Sequence, residues 1–301
     1  MPTNLGASMQ TEQQNPRSMQ LDQSSTLDVL RIMNEEDQKV ALVVQAALPQ
    51  IAAAVDVIAE RMARGGRLFY VGAGTSGRLG VLDAVECVPT FSTEPEQVQG
   101  LIAGGERAFV RAVEGAEDSR EQGKVDLKAR DLSADDAVVG IAASGRTPYV
   151  LGALDYAREV GAAVISIACN VPSAVLDAAD YPIPLPVGPE VLTGSTRLKA
   201  GTAQKLALNM LSTATMVRLG KVYGNLMVDV KVTNEKLVHR ARRILMQLTG
   251  VEEAEAIRLL AASDQHVKTA AVMYHRGVDA DVARDLLAEN QGSLRAVIGD
   301  V

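Results

Sequence analysis

VGAGTSGRLGVLDAVECVPTF (residues 71–91) carries a G-x-G-x-x-G, formed by Gly72, Gly74 and Gly77, immediately behind the apolar run RLFYV (67–71). Strand, glycine turn and helix in that order make a phosphate-binding start, because a helix N-terminus offers free amides and a positive dipole end. A dinucleotide site asks for more: an Asp or Glu closing the next strand, about 20 residues on, to hold a ribose hydroxyl. The next strand here is VQGLIAG (98–104), which closes on glycines, with Glu106 arriving late. The nucleotide reading is therefore weak. Thr75 and Ser76 inside the turn suit a smaller ligand, a sugar with a phosphate on it.

Outward from this unit the alternation continues, through AVVGIAAS (137–144), AAVISIAC (162–169) and a short YPIPLPV (181–187). Helices of ten to fifteen residues between strands imply a parallel sheet covered on both faces, and the prolines place the last strand at an edge. Upstream, helical periodicity runs from Thr26 to the Gly65-Gly66 pair. Residues 1–24 are polar, Gln/Ser/Asn-rich and aperiodic, which predicts a flexible arm. The stretch 197–220 predicts a long helix, apolar nearly all round, that is central to the fold or buried against a second subunit. Three short helical patterns follow position 249. The expected fold is α/β: a three-layer αβα sandwich with a five-stranded parallel sheet over 25–248, then a small C-terminal helical bundle over 249–301.

Composition narrows the function. The 301 residues carry a net charge of −7 with no Lys/Arg-rich block, which argues against a nucleic-acid partner. Cys87 and Cys169 form neither a metal-type pair nor a disulfide framework, as expected of reduced thiols in the cytoplasm. The N-terminus does not read as a signal peptide and no apolar stretch reaches membrane-spanning length, so no membrane is expected as a partner. His239, His266 and His275 make no ligand cluster, and neither metal nor cofactor is expected.

A second small-residue loop, Ser144-Gly145-Arg146-Thr147, closes the strand at 137–144, and a third hydroxyl-rich segment, LTGSTRLKAGT, spans 192–202. One such loop alone is ordinary N-cap chemistry. Two at strand carboxyl ends, where parallel sheets bind ligands, read as a phosphate cradle. Thr75, Ser76, Gly77, Ser144, Gly145, Arg146 and Thr147 are its candidate residues. Ser195, Lys199 and Lys236 are secondary candidates.

GAGTSGR with AASGRTP resembles the SIS (sugar isomerase) domain. The longer blocks GGRLFYVGAGTSGRLGVLDAVECVPTF, LIAGGERAFVRAVEGAEDS, VVGIAASGRTPYVLGAL, EVLTGSTRLKAGTAQKLALNMLSTATM and GKVYGNLMVDVKVTNEKL are similar to the N-acetylmuramic acid 6-phosphate etherases, from about Thr11 to the C-terminus. That family usually reads DASECPPT where this chain has DAVECVPT, so Val85 and Val88 replace a Ser and a Pro. The resemblance implies cleavage of the lactyl ether of a phosphorylated amino sugar, by elimination and then water addition. It implies Glu86 as acid/base on the lactyl side and Glu117 as the second catalytic carboxylate. It also implies a substrate role for Glu190, where related isomerases carry a working glutamate, and a homodimer with pockets near the subunit interface. A carboxyl acting as an acid near neutral pH needs partial burial. By position alone, Glu86 reads as a solvated helix residue and Glu117 as part of an exposed acidic turn.

Two other readings share the fold. A phosphosugar sensor needs only the phosphate loops, and an aldose–ketose isomerase does not need the DAVECVPT and EGAEDS blocks; both acids together favour the lyase. One geometric problem stands. Ten residues of helix between Ser76 and Glu86 span about 15 Å, more than a hexose phosphate covers. Either the helix ends early and the chain folds back, or Glu86 serves a pocket completed by a neighbouring subunit.

Overall fold

The apolar runs fold as parallel strands because a helix follows each and carries the chain back across the sheet. The computed structural model describes residues 9–301. Its elements are α1 (Thr26–Ala46), α2 (Leu48–Ala63), β1 (Leu68–Gly72), α3 (Gly74–Phe91), β2 (Val98–Ile102), α4 (Arg107–Val110), α5 (Arg120–Lys128) and β3 (Ala137–Ala142). Then come α6 (Pro148–Val160), β4 (Ala163–Ala168), α7 (Ala174–Asp177), β5 (Tyr181–Pro184) and α8 (Lys199–Arg218). The last five helices are α9 (Glu235–Thr249), α10 (Glu253–Ala262), α11 (Val267–Arg276), α12 (Ala280–Glu289) and α13 (Leu294–Ile298).

The strands form one parallel sheet in the order β2-β1-β3-β4-β5. Leu68 registers with Val98 and with Ala137, Ala137 with Ala163, and Ile165 with Tyr181. Strands β1, β3 and β4 are buried along their whole length, so both faces must be covered and the runs are continuously apolar. On one face Phe69, Val71, Val138 and Val164 pack with Tyr149, Val150 and Leu154 of α6 and Leu127 of α5. On the other, α3 lies over Tyr70 and Ile141 at Gly80, and α2 packs along β3, β4 and β5. Pro182 and Pro184 sit in β5, the expected edge. The chain leaves β1 and β3 in opposite directions across the sheet, which opens a crevice at their carboxyl ends.

The amino ends of the same two strands are tied together. Buried Asp136, just ahead of β3, accepts from the backbone N–H of Arg67 at 2.7 Å, its Nη2 at 2.8 Å and the backbone N–H of Ser133 at 2.8 Å. Burial pushes this carboxyl up, but the bonds from Arg67 and Ser133 outweigh it and hold it below the usual carboxylate range.

The chain divides into two units. The first takes in the chain to Ala84 together with Gln97–Ser212 and contains the whole sheet; the second comprises Val85–Glu96 and Thr213–Val301. The second has its own core, built on Leu237, Ile244 and Leu248 of α9, Leu259 and Leu260 of α10, Val267 and Val272 of α11, and Leu287 and Leu294 beyond. Helix α9, expected with the sheet up to residue 248, belongs here because its apolar stripe is buried among these helices.

The expected flexible arm is also corrected where it is described. Residues 9–24 form three short 3-10 turns, and Thr11 is fully buried. The Thr11 N–H donates to Asn170 Oδ1 at 3.2 Å, its hydroxyl accepts from Asn170 Nδ2 at 2.9 Å, and its carbonyl accepts from the Gly194 N–H at 3.1 Å. Polar composition misleads here because the partners are polar too. Residues 1–8 of that arm lie outside the described residues. No single helix among the described residues is long and apolar enough to cross a membrane.

Candidate active site

The turn after β1 is short because α3 begins at Gly74, two residues beyond the strand's last paired position. Gly77 is where that helix meets the strand: a Cβ there would come within 2.7 Å of the Gly72 carbonyl oxygen. Its own N–H donates to the Ala73 carbonyl, so Gly77 supports the turn and does not line the cavity. The turn after β3 depends on Gly145, which has φ +72° and whose Cβ would lie 2.3 Å from that of Ser173. Its N–H donates to the Ala142 carbonyl, so Gly145 also acts as scaffold.

Between these turns lies a cavity of about 480 Å³. Thr75 and Ser76 line it from the β1 side and Ser144, Arg146 and Thr147 from the β3 side; Glu117 and Asp118 close another wall. Ser76 is buried, and its hydroxyl donates to Gln204 Oε1 at 2.9 Å. The β3 hydroxyls are more loosely held. Ser144 Oγ and Thr147 Oγ1 are 3.5 Å apart, and Thr147 occupies the N-cap of α6 without making a side-chain cap bond. The first amides of α3 lack intrahelical acceptors. Hydroxyls, helix amides and the Arg146 guanidinium together can receive a phosphate monoester.

A smaller cavity of about 190 Å³ shares Ala73, Gly74 and Glu117 with the first. Glu117 sits on a short 3-10 turn (Ala116–Asp118) that Gly115 enters at φ 72°. Its side chain is exposed, so the partial burial expected of a carboxyl acid is absent there, because it stands on the rim.

The remaining candidates are placed differently. Glu86 is exposed on α3, in the stretch assigned to the second unit, and is not among the residues lining the cavity. Helix α3 runs unbroken to Phe91, past Pro89, so the early helix end that would have folded Glu86 back does not occur. Glu190 is fully buried and accepts from the N–H groups of Lys199 at 3.1 Å and Ala200 at 3.0 Å, capping α8. Burial pushes its carboxyl up even though both amides pull it down. Lys199 is buried as well, with Nζ 2.6 Å from Glu36 Oε2. Burial alone would raise the Glu36 carboxyl, but hydrogen bonds from Lys199, Lys39 and Asn15 hold it at about 2. Glu190 and Lys199 thus serve the fold. Ser195 is half-buried between Gly194 and Thr196, which do line the cavity, while Lys236 is exposed on α9.

Sequence reasoning missed Glu12. It lines the cavity from the N-terminal segment, with Oε2 3.2 Å from where a Cβ on Gly194 would stand. Its only signal was the buried Thr11 beside it, and that burial is invisible in a polar stretch.

Residues 120–214 match the SIS domain, residues 50–158 the N-terminal SIS domain of glucokinase regulatory protein, and residues 224–283 that protein's C-terminal lid domain. A phosphoheptose isomerase from Francisella tularensis shares the fold, with a TM-score of 0.51 at 18% identity, over 64% of this chain and 100% of its own. The N-acetylmuramic acid 6-phosphate etherase of Streptomyces avermitilis is 58% identical over 96% of this chain and 93% of its own length. That of Aeromonas hydrophila is 58% identical over 95% and 96%, and that of Mycolicibacterium smegmatis 57% over 97% and 98%. The chain belongs to the N-acetylmuramic acid 6-phosphate etherase family.

Proposed function

We propose that this protein is a lyase that cleaves the D-lactyl ether of N-acetylmuramic acid 6-phosphate, giving N-acetylglucosamine 6-phosphate and D-lactate in the recycling of cell-wall amino sugar. The observation that carries this reading is the cavity at the β1/β3 crevice, where two hydroxyl-bearing turns face a carboxylate. Ser76, Ser144 and Thr147, assisted by Thr75, Arg146 and the α3 amides, hold the phosphate. In the ring-opened sugar the proton on carbon 2 is acidified by the neighbouring aldehyde. Glu117 removes it, the carbon 2–carbon 3 double bond forms, and the carbon 3–oxygen bond breaks. Glu86 protonates the departing lactate oxygen and then deprotonates the water that adds at carbon 3, while carbon 2 regains its proton. General acid–base help of this kind contributes about 10²–10⁴-fold each.

The protein acts as a homodimer in the cytoplasm. Leu82 and Val85, which precede Glu86 on α3, are 48% and 60% exposed, and covering them with a second chain would also give Glu86 the burial an acid needs. Light scattering at micromolar concentration should give twice the chain mass; a monomer would remove the shared pocket. The purified protein, without added metal or nicotinamide, should release D-lactate from N-acetylmuramic acid 6-phosphate. Absence of lactate would overturn the lyase in favour of a phosphosugar sensor, which would bind the sugar without turnover.

A further inference from the structure

The smaller cavity has a composition of its own. Ala73, Ala103, Ala108, Ala112, Val113 and Ala116 give it an apolar lining, and Arg78, Glu114 and Glu117 are its charged groups. Arg78 is half-buried; its Nε donates to the Phe109 carbonyl at 2.9 Å and its Nη2 to the Ala108 carbonyl at 2.8 Å. Among the described residues Nη1 has no acceptor, and no carboxylate pairs with the guanidinium. The cavity therefore offers methyl groups and a spare N–H donor beside the one carboxylate it shares with the phosphate cavity. At about 190 Å³ it holds several water-sized volumes of roughly 30 Å³, room for a two-carbon acyl group.

Resting on the reading above, we infer that this cavity is the subsite for the acetamido group on carbon 2, with Arg78 donating to its carbonyl oxygen and the alanine methyls around Ala112 enclosing its methyl. Glu117 stands at the junction, beside the carbon that bears the acetamide and loses the proton. A neutral acyl group suits the lining better than a second anion, because Glu114 and Glu117 would repel a carboxylate there. The cavity thus selects N-acetylated sugar phosphates over plain hexose phosphates.

Two ligands that lack the lactyl ether test this by calorimetry, independently of turnover: N-acetylglucosamine 6-phosphate and glucose 6-phosphate. The wild type should prefer the acetylated sugar by about tenfold or more, from one buried methyl and one hydrogen bond. Ala112→Leu fills the cavity without touching the Arg78 bonds, and should cut that preference to about threefold or less while leaving glucose 6-phosphate affinity unchanged. Arg78→Gln should reduce the preference in the same direction. A wild type without preference would overturn the subsite, as would variants that weaken both ligands equally or neither. Because the readout is binding, failure to release lactate would count against the lyase and leave the acetamido subsite separately tested.

Discussion

At their amino ends β1 and β3 are joined by Asp136, a buried carboxylate with its acceptors filled by Arg67 and Ser133. At their carboxyl ends the same two strands open into Thr75, Ser76, Ser144 and Thr147, where the closest β3 hydroxyls are 3.5 Å apart and the N-cap of α6 goes without its side-chain bond. Both ends are polar, but only one has capacity to spare. A saturated network stabilises the fold, and a loosely held one can exchange its weak internal contacts for a ligand. The segment before α8 teaches the same point. It is as hydroxyl-rich as the two turns, yet Glu190 just ahead of it and Lys199 at the start of α8 are committed to a helix cap and a buried ion pair.

The contrast can be tested, beginning with the largest effect. Glu117→Gln should lower kcat about 10²–10⁴-fold with an unchanged melting temperature, because the residue is exposed; a simultaneous loss of stability would blur the division between the two ends. Asp136→Ala should do the opposite. Breaking its pair with Arg67 should cost about 2–4 kcal/mol in urea unfolding, at a kcat per folded molecule close to wild type. Ser144→Ala should mainly raise KM, by about 1–2 kcal/mol of lost hydrogen bonding to the phosphate, and a matching fall in kcat would place Ser144 nearer the reacting carbons than the geometry does. The smallest effect is one of pH. Because Asp136 is held below its ordinary range, its contribution is fully present above the unfolded value of about 3.9 and fades as pH falls through the folded one. The stability gap between wild type and Asp136→Ala should therefore narrow as pH falls below the unfolded value and through the folded one.

How much of this was legible in the sequence followed from the range of the interactions. The strands and both turns were legible because apolar runs and turn residues act over a few positions: the run at 137–144 is the strand Ala137–Ala142, and the edge prolines lie in β5. Thr75, Ser76, Ser144, Arg146, Thr147 and Glu117 do meet around one cavity. Gly77 and Gly145 were taken for binding residues when their part is steric. Glu12 could not be found locally, since its segment is held through Asn170, 159 positions away from Thr11. Glu190 carried the right chemistry in the wrong place: a buried carboxylate beside a helix start caps the helix, and sequence does not reveal that two amides have already claimed it.

The Thr11 latch has a practical side. Glu12 forms part of the cavity wall only while its neighbour is seated against Asn170 and Gly194. Any cargo fused just ahead of that point, or a protease cut just behind it, would tug on the binding chamber from outside. Affinity handles for this protein belong at the opposite terminus, and a preparation clipped near its start should bind sugar phosphates poorly even though its sheet is intact.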